Sequence, residues 1–253
     1  MTHMSPYLDA AAWQESWDRQ QEAFLPDREE RFAAMLDIVE AVAGPAPRVL
    51  DLAGGTGSIS LRTLRRFPRG TTTLVDVDPV LLTIARASLD DRTAIVATDL
   101  REPSWTADLP DDGYDAVLSA TALHWLDGGR LAALYGEVAG LLRPGGVLVN
   151  ADHMPDEGLP VLSATLRDRA RERRNARYAA GAAISWPAWW DLVAGDEILA
   201  PHYAERTKIF DSTHHNDWTP PAAWHESALR DAGFTEVGLA WRGGTDAAVV
   251  GVR

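Results

Sequence analysis

Val49-Leu50-Asp51-Leu52-Ala53-Gly54-Gly55-Thr56-Gly57 is an apolar run, broken by one acid, that ends in glycines and leads into an amphipathic stretch from Ser58 to Phe67. The run reads as a buried strand, the glycines as a turn, and the periodic stretch as a helix. Glycine lacks a Cβ, so such a turn lets backbone approach a ligand closely, and the first amides of the following helix point toward it. Alone, the turn is weak evidence. The dinucleotide pattern G-x-G-x-x-G, started at Gly55, wants a third glycine where Ser60 stands. The acids discriminate better: Asp51 lies inside the motif, and Asp76 ends the next strand about 20 residues beyond Gly57, where a carboxylate reaches a ribose diol.

Outward from this turn, residues 48 to 149 alternate short β-branched runs with amphipathic stretches, the rhythm of βαβ units in a parallel sheet buried on both faces. Strands are expected at Val49 to Leu52, Thr72 to Asp76, Thr93 to Ala97, Tyr114 to Ser119 and Val147 to Ala151. Helices are expected at Ser58 to Phe67, Pro79 to Leu89 and Arg130 to Leu142, the last stopped by Arg143-Pro144-Gly145-Gly146. A further helix reads from Pro220 to Ala232, with Thr219 as N-cap and Gly233 at its stop. Strands Thr235 to Trp241 and Ala247 to Val252 then form a hairpin around Gly243-Gly244.

With 253 residues and 46% hydrophobic content, one core with elaborations is expected rather than two equal domains. The formal net charge of -13 opposes a phosphate backbone, so nucleic acid is a poor candidate partner. The absence of cysteine removes disulfides, thiolate catalysis and sulfur-ligated metals. Met1 to Arg19 has neither a basic n-region nor an apolar h-region, and no apolar run is long enough to span a bilayer. A cytoplasmic chain without a membrane partner is the expectation; its oligomeric state is open.

In register through several motifs the sequence resembles the class I S-adenosylmethionine-dependent methyltransferases. The first strand and loop match at Val49 to Gly57, and the acid-ended second strand at Val75-Asp76-Val77-Asp78-Pro79. Ala97-Thr98-Asp99-Leu100 matches the third, Tyr114-Asp115-Ala116-Val117-Leu118-Ser119 the fourth, with Ala122-Leu123-His124-Trp125-Leu126 beyond it. Leu142-Arg143-Pro144-Gly145-Gly146 precedes the fifth, and Ala232-Gly233-Phe234 precedes the closing hairpin. The resemblance implies a doubly wound, mostly parallel seven-stranded α/β sheet of Rossmann-like type with an antiparallel last strand. It implies S-adenosylmethionine as cofactor and S-adenosylhomocysteine as product. It further implies that Ala53, Gly54, Gly55 and Gly57 cradle the methionine part, with Asp51 beneath its amino group and Asp76 on the ribose. Val77 would pack on adenine, Asp99 and Leu100 would address its edge, and Ser119 would belong to the same cofactor-binding set. The family's first loop glycine is Ala53 here. Asp115 reads as a residue that caps or orients the fourth strand rather than one that touches ligand.

Two segments break the βαβ rhythm. The division expected is an N-terminal helical lid at 1–45, a core at 46–151 and 217–253, and a cap at 152–216 inserted over the acceptor site. Methyl transfer from a sulfonium needs positioning and water exclusion, and no nucleophilic side chain. An acceptor hydroxyl or amine would gain from a general base, and histidine titrates in the right range. His153, which opens the insert, is the first candidate and His124, beyond strand four, the second; His214 and His215 close the insert. Asp152, His153, His214 and His215 are metal-competent types, but their spacing is not diagnostic and no metal is expected. Trp186, Trp189, Trp190, Trp218 and Trp224, with Tyr178 and Tyr203, suit either a pocket for a planar acceptor or the cap's own small core. The arginines from Arg167 to Arg177, interleaved with Asp168 and Glu172, read as a solvated helix face.

The function these readings support is methyl transfer to O, N or C of a small organic acceptor, of the kind met in specialised metabolism. Two alternatives stand beside it: a non-methylating cyclisation or decarboxylation in the same pocket, and a silent cofactor-binding module.

Overall fold

The computed structural model describes residues 8–110, 113–210 and 218–253. Seven strands form one sheet in the order β3-β2-β1-β4-β5-β7-β6. They are β1 (Arg48–Leu52), β2 (Thr71–Asp76), β3 (Thr93–Ala97), β4 (Tyr114–Ala120), β5 (Leu142–His153), β6 (Glu236–Gly243) and β7 (Asp246–Val252). β1 to β5 pair in parallel, and β7 runs antiparallel to both of its neighbours, β5 and β6. The chain order reverses between β1 and β4. In doubly wound sheets a crevice opens at such a reversal, outside the carboxyl ends of the strands.

Residue alternation along the strands decides which side chain serves which face. Leu50, Leu52, Val117 and Leu148 enter one core with α5 (Gly128–Leu141) and α9 (Ala222–Asp231). Val49, Ala116, Leu118, Val147 and Val149 enter the opposite core. There they meet Phe32, Met35, Leu36 and Val39 of α2 (Arg28–Ala43) and Ile59 of α3 (Ser58–Arg66). Central strands coated on both faces must be apolar throughout, which is why β1 reads as a continuous run. α4 (Pro79–Ser88) follows β2, with Pro79 at its first position and the Asp78 carboxylate capping the amides of Val80 and Leu81.

Four further helices lie outside this rhythm. α1 (Ala10–Phe24) packs along α4, while α6 (Pro160–Ala179), α7 (Trp186–Gly195) and α8 (Ala200–Ile209) come from the insert. Trp17 of α1, Trp189, Trp190 and Val193 of α7, and Val80, Leu81 and Ile84 of α4 make one cluster. Ring centroids of Trp17 and Trp189 lie 5.0 Å apart, and the Trp189 indole donates to Ser16 Oγ at 3.0 Å. Trp186, Trp189 and Trp190 of the insert therefore pack with Trp17 against α4, whereas Trp218 and Trp224 join the core with α5 and α9. Arg167, Arg169, Arg171, Arg173 and Arg177 of α6 are exposed, Arg169 pairing with Glu172 and Arg171 with Asp168, whereas Arg174 is half-buried over the Phe24 ring of α1. Among the described residues no helix is long and apolar enough to cross a membrane.

Boundaries differ from the sequence reading at several elements: α5 opens at Gly128, β5 runs on to His153, and three further differences have a local cause. α9 begins at Ala222 because Pro221, with extended ψ of 160°, is its N-cap, so neither Thr219 nor Pro220 opens it. β5 starts at Leu142, opposite Tyr114, and contains the Pro144-Gly145-Gly146 segment as an irregularity with Gly145 at φ of 78°. The final hairpin turns on Gly244-Thr245, since Gly243 still pairs with Asp246 and Gly244 takes the positive φ of 59°.

Candidate active site

The carboxyl ends of β1, β2, β3 and β4 open into a cavity of about 1180 Å³. Its floor is Ala53, Gly54 and Gly55, with Asp76, Val77, Asp99 and Leu100 along one side. Ala120 to Asp127 and His153 form the opposite side, and Trp17, Phe24, Trp186, Trp190, Arg206 and Phe210 close it over. That volume exceeds what a single drug-sized ligand fills, leaving room for a cofactor and an acceptor together.

Local conformation explains the floor. Ala53 sits at φ of 52° and Thr121 at φ of 56°, both at strand tips and both on the cavity wall. A residue with a Cβ pays to occupy this left-handed region, and such outliers gather at ligand sites. Gly54 has negative φ but no room: a Cβ there would meet Asp51 Cγ and Leu74 Cγ at 2.8 Å. The Asp51 carboxyl therefore presses on the loop backbone from behind. Gly57, at φ of 86°, is the N-cap of α3, where a Cβ would strike Leu89 at 2.7 Å.

Asp76 is buried and holds the loop through three amides. Its Oδ2 accepts from Gly55 N at 2.8 Å, and its Oδ1 accepts from Val77 N at 2.7 Å and Asp78 N at 2.8 Å. Burial, with the neighbouring charge of Asp78, pushes its pKa up to about 6 despite those bonds. Asp51 accepts from Ser60 N and Ser60 Oγ on Oδ2, and its Oδ1 has no partner among the described residues. Burial raises its pKa to about 7. Asp99 chelates Arg101, accepting from its backbone N at 2.9 Å and its Nε at 2.8 Å. Burial works against the Asp99 charge, but the Arg101 bonds prevail and lower its pKa.

Ala53, Gly54, Gly55, Asp76, Val77, Asp99 and Leu100 thus share one wall, as the sequence motifs suggested. Asp51, Gly57 and Ser119 lie behind it. Ser119 Oγ donates to Leu52 O at 3.0 Å and ties the tips of β1 and β4 together. Asp115 receives Arg48 N and Arg143 Nη1 at the far end of the sheet, away from the cavity.

Both candidate bases reach the cavity. His124 follows β4 in a single 3₁₀ turn, Leu123–Trp125. Its Nδ1 lies 2.8 Å from Asp152 Oδ1, and its backbone N donates to Asp152 Oδ2 at 3.1 Å. His153 ends β5, with Nδ1 2.8 Å from Asp246 Oδ1. Asp246 Oδ2 in turn accepts from the buried Arg31 Nη2 at 2.5 Å. Burial raises the pKa of Asp152, but the His124 charge and hydrogen bond outweigh it and hold the carboxyl below its usual value. His214 and His215 fall outside the described residues. Among the described residues no group of three His, Asp or Glu side chains is placed to hold a metal ion.

Sequence reasoning missed Asp246 and Arg206. Asp246 sits in the terminal hairpin, more than 90 residues from its histidine partner, so no local pattern announces it. Arg206 of α8 pairs with Asp78 and lies over the rings of Trp190 and Phe210, at 3.8 and 4.6 Å from their centroids. In the sequence Asp78 stands only as part of the second-strand motif, and nothing there marks it as the cap of α4 or as the partner of Arg206.

Comparison with known proteins agrees with this geometry. Residues 49–146 match the model of a methyltransferase domain family. The uncharacterized methyltransferase Rv3342 of Mycobacterium tuberculosis is 40% identical over 116 residues, covering 45% of this chain and 43% of the relative. The match thus spans less than half the length of that relative. The uncharacterized methyltransferase Rv0089 of the same organism is 32% identical over 142 residues, covering 55% of this chain and 68% of the relative. Among solved structures, an O-methyltransferase family protein from Burkholderia thailandensis superposes over 100% of this chain and 74% of its own, with a TM-score of 0.56 and 21% identity. The chain belongs to the class I S-adenosylmethionine-dependent methyltransferases.

The residues present fit that cofactor. A loop left without Cβ atoms at Gly54 and Gly55, a carboxylate behind it whose buried Oδ1 has no partner among the described residues and a second carboxylate on the wall are what a cationic amino-acid sulfonium joined to a nucleoside requires.

Proposed function

We propose that this chain transfers a methyl group from S-adenosylmethionine to a small organic acceptor at O, N or C, with oxygen favoured. The observation that carries the reading is that His124, fixed by Asp152, faces the same cavity as the Gly54-Gly55 floor and Asp76.

When bound, the cofactor supplies a methyl carbon whose bond to sulfur breaks as the bond to the acceptor forms, sulfur keeping the electron pair. Asp51, Asp76, Asp99 and the Ala53 to Gly57 backbone hold it, with Val77 and Leu100 against the adenine and Ser119 fixing the strand tips. Asp152 accepts the Nδ1 proton of His124 and sets the tautomer that leaves Nε2 free to take the acceptor proton. Asp246 holds the Nδ1 edge of His153. α1, α7 and α8 act as the cap that excludes water, while α2, although within 1–45, serves the sheet core through Phe32, Met35 and Val39.

The relative from Burkholderia is named an O-methyltransferase family protein, which supports an oxygen acceptor. The formal charge of -13 supports a small-molecule rather than a nucleic-acid acceptor.

The test is incubation with cofactor labelled on its methyl group and a panel of small hydroxyl, amine and carbon acceptors, after S-adenosylhomocysteine binding has been measured by calorimetry. Label on a small product is expected. Product lacking label, or label only on RNA or protein, overturns the reading.

A further inference from the structure

His124 and His153 are held on one side of the cavity in the same manner, each with a carboxylate on Nδ1. That leaves Nε2, on the opposite edge of each ring, as the remaining polar atom of each side chain. Among the described residues neither Nε2 has a hydrogen-bond partner, and the ring centroids are 5.5 Å apart. When a cavity closes on its ligand, an unmatched imidazole nitrogen loses water without replacement, so a ligand with one polar atom would waste one of the pair.

The two rings differ in surroundings. Asp152, almost fully buried, gives both oxygens to His124 and also receives His153 N. Asp246 is shared between His153 and Arg31, and the His153 side chain is 41% exposed against 16% for His124. The charged groups facing His153 are Asp246, Asp152 and Arg31. Burial and Arg31 oppose its charge, but the hydrogen bond to Asp246 and the two carboxylates prevail and raise its pKa. With Asp246 and Asp152 both facing it, His153 is assigned a proton on each ring nitrogen, so its Nε2 donates, while Asp152 takes the hydrogen bond from His124 Nδ1 and leaves that Nε2 as an acceptor. Beside them stand flat apolar walls: Trp125, its ring 6.1 Å from His124, and Phe210, set edge-on to Trp125 at 6.1 Å.

Building on the methyl-transfer reading, we propose that the acceptor is a planar molecule carrying two neighbouring oxygens. The hydroxyl to be methylated donates to His124 Nε2, and the adjacent oxygen accepts from His153 Nε2. His124 is the general base and His153 a specificity-determining donor. The hydroxyl proton ends on His124 Nε2, and His153 keeps its own.

Catechol and phenol, which differ by the second oxygen alone, are the probes. Each is titrated into the full chain loaded with S-adenosylhomocysteine, read by calorimetry and by the imidazole ¹³C shifts of His124 and His153. Catechol is expected to bind about tenfold tighter than phenol, the scale of one well-made hydrogen bond, and to move both resonances. His153→Phe, which removes the donor, is expected to bring the ratio of the two affinities to about one. Equal affinities in the native chain, movement of a single resonance, no catechol binding, or a ratio unchanged by His153→Phe overturns the proposal. The native-chain shifts decide it even where the variant fails to fold. Failure of S-adenosylhomocysteine to bind would instead remove the methyl-transfer reading itself.

Discussion

Arg206 Nε donates to Asp78 Oδ2 at 2.6 Å, so the last described helix of the insert is fastened to the residue that caps α4, two positions beyond Asp76. Both side chains are largely buried, and the guanidinium is further sandwiched against Trp190 and Phe210. Removing the arginine leaves a buried carboxylate without its counter-charge. Arg206→Ala is expected to cost about 3 kcal/mol, lowering the thermal midpoint by roughly 6 to 12 °C. It is also expected to weaken S-adenosylhomocysteine binding, because the cap loses its tie to the cofactor wall. Differential scanning calorimetry and isothermal titration check the two effects; an unchanged midpoint would show that the pair does not hold the cap.

Ala53 occupies a backbone conformation that glycine adopts without cost. Ala53→Gly is expected to relieve about 1 kcal/mol of strain, offset in part by the extra freedom glycine gives the unfolded chain. The net expectation is a midpoint equal to or slightly above that of the native chain, whereas Ala53→Val should fall below it. Denaturant melts of the three chains are the measurement.

Asp51 supplies a pH signature. Burial lifts its folded pKa to about 7 from 3.8, so between these values the folded chain holds a proton that the unfolded chain has released. Stability therefore declines as pH rises through that window. His153, with a raised pKa, contributes in the same direction, whereas His225, depressed to about 4 by burial, destabilises as pH falls below its ordinary value. The difference between the native chain and Asp51→Asn isolates the carboxyl. The native midpoint should lose ground to the variant between pH 5 and about 7.5, and a bound cationic ligand should lessen that loss. A difference independent of pH would contradict the buried, proton-holding carboxyl.

His124 and Asp152 should act as a unit. His124→Asn is expected to lower kcat by roughly 10² to 10⁴ with a hydroxyl acceptor, the usual yield of a positioned base. Asp152→Asn frees the ring to take the other tautomer and should give a smaller loss, accompanied by a shift in the acidic limb of the kcat profile against pH. The double variant should lose little beyond His124→Asn. Losses that simply add would separate the two residues.

Most of the scaffold could be read from pattern. The Val49 to Gly57 stretch, the acid ends of β2 and β3, and the Pro79 and Gly145 punctuation are local signals, each governed by residues within one element or turn. The boundary errors at α9 and the last hairpin are also local, where Pro221 and Gly244 competed with equally plausible neighbours. The site divides along the same line. The cofactor wall follows from the strand tips, whereas the partners of the two histidines do not. Asp152 is 28 residues from His124, and Asp246 is 93 from His153.

The sequence by itself determined a parallel doubly wound sheet and the carboxylates and glycines at its edge, because hydrophobic period, turn chemistry and capping act over a few residues. The tertiary structure alone decided that Trp186, Trp189 and Trp190 pack with Trp17, that Arg206 fastens α8 to Asp78, and that His124 and His153 stand side by side with separate carboxylates. Those pairings join residues on different strands and helices, and distance along a chain carries no information about which charged groups desolvation will force together.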